Sequence, residues 1–117
     1  MYILDAGRLT KRISVWGYEE KDDGLGARKT VLEKKCSVWA EMKPQRGTEF
    51  LEYYRDANQL QYKITIRYRE GITEKDVIVR GSRQFEINSV IDVNEEHVAL
   101  ELYCTEQKDR EIEHVEL

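Results

Sequence analysis

The feature of this sequence that most constrains its fold is an alternation of apolar and polar residues with a period of two. It is clearest in the segment after Gln61, where apolar Tyr62, Ile64, Ile66 and Tyr68 alternate with polar Lys63, Thr65 and Arg67. Successive side chains of a strand point to opposite faces of the sheet, so this pattern is typical of an antiparallel strand with one buried face. The segment therefore predicts a strand that covers a core on one side only.

Five further segments show the same alternation or a short apolar run. They are 13–16, 36–43, 76–79, 84–92 and 98–104. The dipeptides Glu70-Gly71 and Gly81-Ser82 favour tight turns between strands, whereas the polar, glycine-containing residues 19–29 are interpreted as a hairpin loop. The sequence thus predicts a mainly β fold with about six strands and long polar loops.

One segment has helical rather than strand periodicity. Its apolar positions are Phe50, Leu51, Tyr54 and Ala57. Thr48 is a suitable N-cap for a helix, and Pro44 is expected to end the preceding strand because proline cannot donate to the hydrogen-bond ladder. We therefore expect one short helix within 48–58, inserted between strands and covering an open end or face of the sheet.

The length of 117 residues fits a single domain. Residues 1–105 contain all the predicted strands, and residues 106–117 are interpreted as a charged C-terminal tail. No apolar run approaches the roughly 20 residues of a membrane-spanning helix, and the N-terminal residues lack the apolar stretch of a signal peptide. We therefore expect a cytoplasmic protein without membrane contacts.

Charge is unevenly distributed along the chain, although the total of −4 argues against a basic surface that wraps nucleic acid. From Lys43 to Arg69, six basic residues stand against three acidic ones. From Glu106 to Leu117, five acidic residues stand against two basic ones. Opposite charges in these regions could attract one copy to the next in an assembly. The simpler interpretation is two ordinary solvated surfaces, and charge alone favours it.

Residues that could carry out catalysis or hold a metal ion are scarce. His97 and His114 are the only histidines in the sequence, and each lies in a polar stretch with acidic neighbours. Cys36 and Cys104 occupy apolar positions of predicted strands, where reduced thiols usually serve as unreactive core residues. No group of residues has the close spacing of a zinc site, and no glycine-rich phosphate loop occurs. The sequence predicts neither an enzyme nor a bound metal or cofactor.

The aromatic residues allow more than one interpretation. Trp16 and Trp39 both lie opposite the aliphatic phase of their strands, so each belongs either to a second core layer or to a subunit interface. Basic residues are interleaved with aromatic ones at Arg55 and then from Tyr62 to Arg69, as in small barrels that bind single strands. The tyrosines of that stretch share the phase of the core isoleucines, however, which weakens this interpretation. An OB-like module that binds single-stranded nucleic acid is therefore the alternative function.

The order and spacing of several motifs resemble one known family. The motifs are Leu9-Thr-Lys-Arg-Ile-Ser-Val, Ser37-Val-Trp-Ala-Glu-Met-Lys-Pro, Gly47-Thr-Glu-Phe, Lys63-Ile-Thr-Ile-Arg-Tyr-Arg-Glu-Gly-Ile, Phe85-Glu-Ile-Asn-Ser-Val-Ile-Asp and Leu100-Glu-Leu-Tyr-Cys. Together they resemble the phage head–tail joining (head-closure) family of tailed bacteriophages and their prophages. The acidic tail after Thr105 departs from the family pattern.

The resemblance implies a structural protein without catalysis, built as a small antiparallel β-barrel with one helix and long loops. Such a protein closes the DNA-filled head at the portal or adaptor protein and offers a docking surface to the tail-completion protein. The resemblance also implies a homo-oligomeric ring on assembly, and it leaves open whether the free protein is a monomer. DNA would pass through the ring channel without sequence-specific binding. The expected location is the virion, with assembly in the host bacterial cytoplasm.

Candidate contact residues lie in the helical segment and on one predicted strand. They are Trp39, Arg46, Glu49, Tyr53 and Arg55. The helical segment is the only excursion from the predicted β scaffold, and functional contacts tend to lie on such excursions. Arginine and aromatic side chains are also enriched among the residues that dominate binding energy at interfaces. We expect these residues to contact neighbouring proteins, and the alternative for the helix is that it only plugs the barrel.

Overall fold

Six strands make up most of the chain in the computed structural model, which describes residues 1–45 and 59–107. The strands are β1 (Lys11–Asp22), β2 (Arg28–Gln45), β3 (Gln59–Arg67), β4 (Val77–Arg80), β5 (Arg83–Asp92) and β6 (Ala99–Gln107). Short 3₁₀ turns occur at Ala6–Arg8 and Val93–Glu95. In these two described ranges, no helix is long and apolar enough to cross a membrane.

The six strands form one closed antiparallel barrel in the order β1-β2-β3-β6-β5-β4. This confirms the prediction of a mainly β fold with a small antiparallel barrel of six strands. The strands do not contribute equally to closure, because β1 and β4 pair only through Ser14–Val79, Val15–Ile78 and Trp16–Val77. The seam between the first and fourth strands is therefore the shortest in the barrel.

The barrel core is formed by inward-facing side chains from all six strands. The largest fully buried side chains of this core are Phe85, Ile13, Ile64, Ile66, Ile78, Leu102, Val15 and Cys104. On the facing strands β3 and β6, Ile64 pairs with Leu102 and Ile66 pairs with Leu100. The period-two phase predicted for these two strands is thus confirmed.

The structure corrects the predicted polar loop at residues 19–29, most of which is strand. β1 continues to Asp22 and β2 begins at Arg28, so the connection is only residues 23–27. Ion pairs cross this hairpin between Arg28 and Glu20 at 3.2 Å and between Lys21 and Glu33. Residues 18–30 are exposed. The expected alternation is missing because neither face of this part of the hairpin covers a core.

Proline also does not end the second strand where the sequence suggested. β2 extends to Gln45, and Pro44 pairs with Tyr62 of β3. The last β2 residue that pairs with β1 is Ala40, opposite Lys11, so no β1 strand lies alongside Pro44. The missing proline N–H therefore breaks no bond to β1. The helix predicted within 48–58 lies outside the described residues.

The last strand extends beyond the expected boundary of the domain at residue 105. β6 ends at Gln107, and Glu106 is only 5% exposed. Strand pairing explains this burial, since Glu106 lies opposite both Leu60 and Phe85. The charged tail therefore stays a prediction only for residues 108–117, which lie outside the described ranges.

Trp16 belongs to a small second cluster on the outer face of the barrel. It is 4% exposed and lies with Val77 and Val79, with Leu32 against the same cluster. The indole Nε1 donates to Ser14 Oγ at 2.9 Å, and that hydroxyl donates to the carbonyl of Val79 at 3.2 Å. Of the two interpretations of Trp16, the second core layer is therefore the one observed.

Candidate functional site

Trp39, the other tryptophan, is exposed on the outer face of β2. Ala40 next to it is buried in the core, so the alternation of the strand turns the Trp39 indole outward, where it is 53% exposed. Arg12 lies directly opposite on β1. The guanidinium carbon of Arg12 is 5.3 Å from the Trp39 ring centroid. A cation over an indole face is an attractive arrangement, so the pair holds the large ring in place at the surface.

A second arginine lies on the other side of Trp39. Ala40 pairs with Ile66 on β3, so the residue beside Trp39 on that strand is Arg67. Trp39 and Arg67 line a shallow depression of about 370 Å³ together with Leu9, Arg12, Tyr68 and Arg69, and with the β2 residues before Trp39. We call the group formed by Leu9, Arg12, Trp39, Arg67 and Arg69 the Trp39 surface.

The Trp39 surface is positively charged. Within the described ranges, its three arginines form no ion pair, and no carboxylate lines the depression. The nearby Arg8 differs, because it pairs with Asp5 at 3.5 Å and with Glu41 at 4.0 Å. An exposed tryptophan between arginines has the composition of a protein-binding surface, because these two side chains dominate binding energy at interfaces.

Of the five predicted contact residues, the structure describes only Trp39. Arg46, Glu49, Tyr53 and Arg55 lie outside the described residues. The chain leaves β2 after Gln45 and returns at Gln59, and Gln45 pairs with Gln61, so both ends of this segment start from the same end of the barrel. Trp39 lies six residues before Gln45 on the same strand. At about 3.3 Å per residue it is about 20 Å from that end.

Sequence reasoning did not identify the arginines around Trp39 as contact residues. Arg67 and Arg69 were counted only as part of a basic region, and Arg12 was not singled out. The available signal was that Arg12, Trp39 and Arg67 all have the outward phase of their strands. The phase alone does not show that they are neighbours, because the neighbours across strands are set by the register.

A partly buried ion pair connects three strands at the end of the barrel where β6 ends. Arg83 Nε donates to Glu106 Oε2 at 2.8 Å, and one Nη donates to the Tyr62 hydroxyl at 3.0 Å. The guanidinium carbon also lies 5.0 Å from the Phe85 ring centroid. The hydrogen bond that Arg83 donates to the Glu106 carboxylate raises the pKa of Arg83 above its ordinary value. Arg83 therefore stays charged and holds β3, β5 and β6 together.

A second ion pair lies beside the short β1–β4 seam. Lys35 is the extra residue of a β-bulge, since Val15 pairs with Cys36 and Trp16 with Lys34. The bulge directs the Lys35 side chain across Gly17, where its Nζ donates to Asp76 Oδ2 at 2.9 Å and to the carbonyl of Gly71 at 2.6 Å. A Cβ on Gly17 would lie 3.0 Å from Lys35 Cε and 3.1 Å from Asp76 Oδ1. A side chain at position 17 would therefore crowd the Lys35–Asp76 pair.

Comparison with known proteins identifies the family. A family model described as phage head completion protein matches residues 4–107, which include every described strand. The chain belongs to the phage head completion protein family. It is therefore a phage structural protein with a role in completing the head, as the resemblance to head-closure proteins predicted. A search of curated proteins finds no match.

Two solved structures share the fold of this head completion protein. One is from the virion of a native gene transfer agent particle, with 20% identity and a TM-score of 0.66 over 86% of this chain and 97% of that one. The other is the solution structure of protein SF1141 from Shigella flexneri 2a, with 22% identity and a TM-score of 0.68 over 92% of this chain and all of that one. At these identities, the likeness concerns the fold.

The thiols of this head completion protein occupy structural positions. Cys104 is fully buried in the core, and this burial raises the pKa of its thiol to about 12. Cys36 is half-buried and packs against the same core. Both cysteines are free, as expected from their apolar phase. A thiol with so high a pKa is protonated at neutral pH and is therefore a poor nucleophile.

Proposed function

We propose that this chain closes the DNA-filled phage head and joins it to the tail, as one subunit of a homo-oligomeric ring. The ring docks on the portal or adaptor protein and presents its other side to the tail-completion protein. DNA passes through its channel without sequence-specific binding, and assembly takes place in the host bacterial cytoplasm. Membership of the head completion family over residues 4–107 supports this proposal.

The observation that carries the proposal is the exposed Trp39 between Arg12 and Arg67. A closed barrel leaves few free strand edges, so its lateral surface binds partners through side chains. Trp39 contributes a large, rigid contact area, and the three arginines select a partner with carboxylates at the facing positions. We therefore assign the Trp39 surface to contact with an acidic surface of a neighbouring virion protein.

The segment 46–58 is assigned to a second contact at the end of the barrel. Arg46, Tyr53 and Arg55 have side chains that are suited to binding, and Glu49 adds an acidic contact. The Trp39 surface lies about 20 Å along β2 from the start of this segment. We therefore assign the two regions to different neighbours.

A complementation assay tests the Trp39 surface. A phage or prophage that lacks this gene is supplied with Trp39→Ala, and DNA-retaining heads and tailed particles are counted. We expect a loss of about tenfold or more, because truncation of an interface tryptophan often costs about 2 kcal/mol or more. Ile91→Ala is the matched control, since Ile91 is also a large exposed apolar residue, at 44%. Normal particle yields from Trp39→Ala would remove this surface from the interface.

The same assay tests the 46–58 segment. Arg46→Glu, Arg55→Glu and Tyr53→Ala should each fold normally and yield few tailed particles, because an interface arginine or tyrosine is lost. Arg46→Lys keeps the charge, so a defect in this variant as well would show that the planar guanidinium is needed. Wild-type yields from all four variants would contradict an interface role for the segment.

The alternative function, binding of single-stranded nucleic acid, is also favoured by the Trp39 surface. Aromatic rings between basic residues are the usual platform for stacked bases. Oligonucleotide binding followed by tryptophan fluorescence at increasing salt separates the two functions. A nucleic-acid-binding module loses affinity steeply with salt, with a slope set by its phosphate contacts. We expect no such binding from a connector, and a salt-dependent signal that disappears in Trp39→Ala would favour the alternative.

A further inference from the structure

The β1–β2 hairpin extends beyond the barrel with two strand edges that have no partner strand among the described residues. β4 pairs with β1 only up to Trp16, and β3 pairs with β2 only from Ala40 onward. Within residues 1–45 and 59–107, Gly17–Asp22 of β1 and Arg28–Lys34 of β2 therefore pair only with each other. We call these residues, with their connection, the arm (residues 17–34). Free edges of this kind offer backbone N–H and C=O groups for the addition of another strand.

The base of the arm is fixed to the barrel. Lys35, where the arm begins on β2, is held by Asp76 and by the carbonyl of Gly71. Across from it, Gly17 is the first arm residue of β1 and contacts the same lysine. The arm therefore extends from the barrel in a defined direction, which reduces the ordering cost of any strand that adds to it.

The two edges of the arm carry opposite unpaired charges. Within the arm, Glu20 forms an ion pair with Arg28, and Lys21 forms one with Glu33. Glu19 on β1 and Lys29 on β2 have no ion-pair partner within the described ranges. Lys29 also lies directly opposite Lys21 in the register, an unfavourable position for like charges. Among the described residues, one edge of the arm therefore has a carboxylate without an ion-pair partner, and the other edge has such an ammonium group.

Glu19 and Lys29 also lie on the same face of the arm. Glu19 pairs with Val31 and Lys21 pairs with Lys29, so residues 19, 21, 29 and 31 share one face. Suppose that a second copy is related to the first by rotation about an axis along the strands. Its β2 is then antiparallel to β1 of the first copy, and corresponding faces of the two arms lie on the same side of the shared sheet. Glu19 of one copy and Lys29 of the next then lie on one face of a continuous sheet.

We propose that β1 of one arm pairs with β2 of the arm in a second copy of this chain, as the contact between subunits of the ring. This inference rests on the proposed function, which requires a ring. The contact is head-to-tail, because pairing of two β1 edges or two β2 edges would bring like charges together. Head-to-tail contacts generate closed rings when the rotation between copies closes.

Two charge reversals that complement each other test the contact. Glu19→Lys gives an arm with basic residues on both edges, and Lys29→Glu gives an arm with acidic residues on both edges. Each variant alone should lower the yield of DNA-retaining particles by about tenfold or more, since like charges across an interface are strongly unfavourable. When the two variants are co-expressed and alternate around the ring, residue 19 of each copy faces a residue 29 of opposite charge in the next copy. Yields should then return to within about threefold of wild type.

The control is Glu95→Lys, which makes the same charge change at an exposed residue outside the arm. It should keep the wild-type yield, and circular dichroism should show that both arm variants are folded, since Glu19 and Lys29 are exposed and lie outside the internal ion pairs. Normal yields from either arm variant alone would overturn the proposal. Failure of the co-expressed pair to recover would also overturn it, because the charges would then not face each other.

A second measurement separates this inference from the proposed function. If the wild-type gene itself does not restore particles, the proposed function fails, and purified protein then decides the arm contact. Labelled (¹⁵N) and unlabelled wild-type chains are mixed at high concentration and coupled with a zero-length carbodiimide. Cross-linked peptides of mixed label that join Glu19 to Lys29 are expected. Their absence, or cross-links of single label only, would overturn the arm contact.

Discussion

At the scale of single residues, Trp16 and Trp39 differ in burial although they have the same phase in their strands. Trp16 lies where β1 pairs on both sides, and its neighbours on the outer face are Val77, Val79 and Leu32. Trp39 lies between arginines instead, and it stays 53% exposed. The burial of an outward-facing side chain in a sheet is thus decided by its neighbours across the strands.

The reactivity of the two thiols is a residue-scale prediction. At pH 8 a disulfide reagent should label Cys36 in the folded protein and leave Cys104 unlabelled, because burial raises the pKa of the Cys104 thiol to about 12. Denaturation should expose the second thiol to the reagent. Mass spectrometry of the labelled peptides is the measurement. Labelling of Cys104 in folded protein at a rate like that of Cys36 would contradict its burial.

The raised pKa of Cys104 also predicts a dependence of stability on pH. The unfolded thiol titrates near 9.0 and the folded thiol at about 12, so the folded state holds its proton more tightly. The stabilising contribution of the protonated thiol is complete below pH 9 and decreases as the pH rises toward 12. Chemical denaturation at pH 8 and pH 10.5 measures this change in the free energy of unfolding. The Cys104→Ala variant should be less stable than the wild type at pH 8. Between pH 8 and pH 10.5 it should lose less stability than the wild type does.

At the scale of elements, the bulge at Lys35 connects the β1–β2 hairpin to the chain before β4. Lys35→Met keeps the methylene groups and removes the ammonium, which leaves the nearly buried Asp76 without its cation. We expect a loss of about 1–3 kcal/mol, because a buried carboxylate without its partner is costly. Denaturant unfolding measures this loss in the free energy of unfolding. The Lys75→Met variant is the control, since Lys75 is exposed. Equal stability of the two variants would contradict the role of this ion pair.

The core phase of β3 and β6 gives a second prediction for elements. Ile66→Ala and Leu102→Ala should each destabilise the protein by about 2–5 kcal/mol, because each removes a fully buried side chain from a packed core. Ile91→Ala on the outer face of β5 should cost less than about 1 kcal/mol. Thermal unfolding followed by circular dichroism compares the three variants. Unchanged melting of both core variants would mean that the strands have the opposite phase.

At the scale of the whole molecule, the described strands form one closed barrel with two regions proposed for contacts. The described strands close on themselves, so the core needs no partner to be complete. The Trp39 surface lies on the side of this barrel, and the arm extends from it. The two contacts proposed above therefore use separate residues, the Trp39 surface for an unlike neighbour and the arm for a second copy of the chain.

The extent of the folded domain is a prediction for the whole molecule. A chain that ends at Gln107 should keep the wild-type melting temperature within about 2 °C, because every described strand is intact. A chain that ends at Thr105 lacks Glu106, the partner of Arg83, and should melt at least about 5 °C lower. Scanning calorimetry compares the two. Equal melting temperatures would show that the Arg83–Glu106 pair does not stabilise the barrel.

The sequence by itself determined the parts of the strands that cover the core, and their inner faces. The alternation around Ile64, Ile66 and Leu102 comes from the pleat of a single strand, so it can be read locally. The order of the motifs was sufficient to identify the family. The exposed hairpin has no alternation of apolar and polar residues, because both faces of its strands are exposed to solvent. The sequence therefore predicted a loop there.

Only the tertiary structure decided which side chains meet. Arg12 and Arg67 are separated from Trp39 along the chain, and the register of three strands brings them together. The same holds for Arg83 with Glu106, which joins the start of one strand to the end of another. A shift of the register by one residue would exchange the inner and outer faces without changing any local pattern, so these contacts depend on how the whole barrel closes.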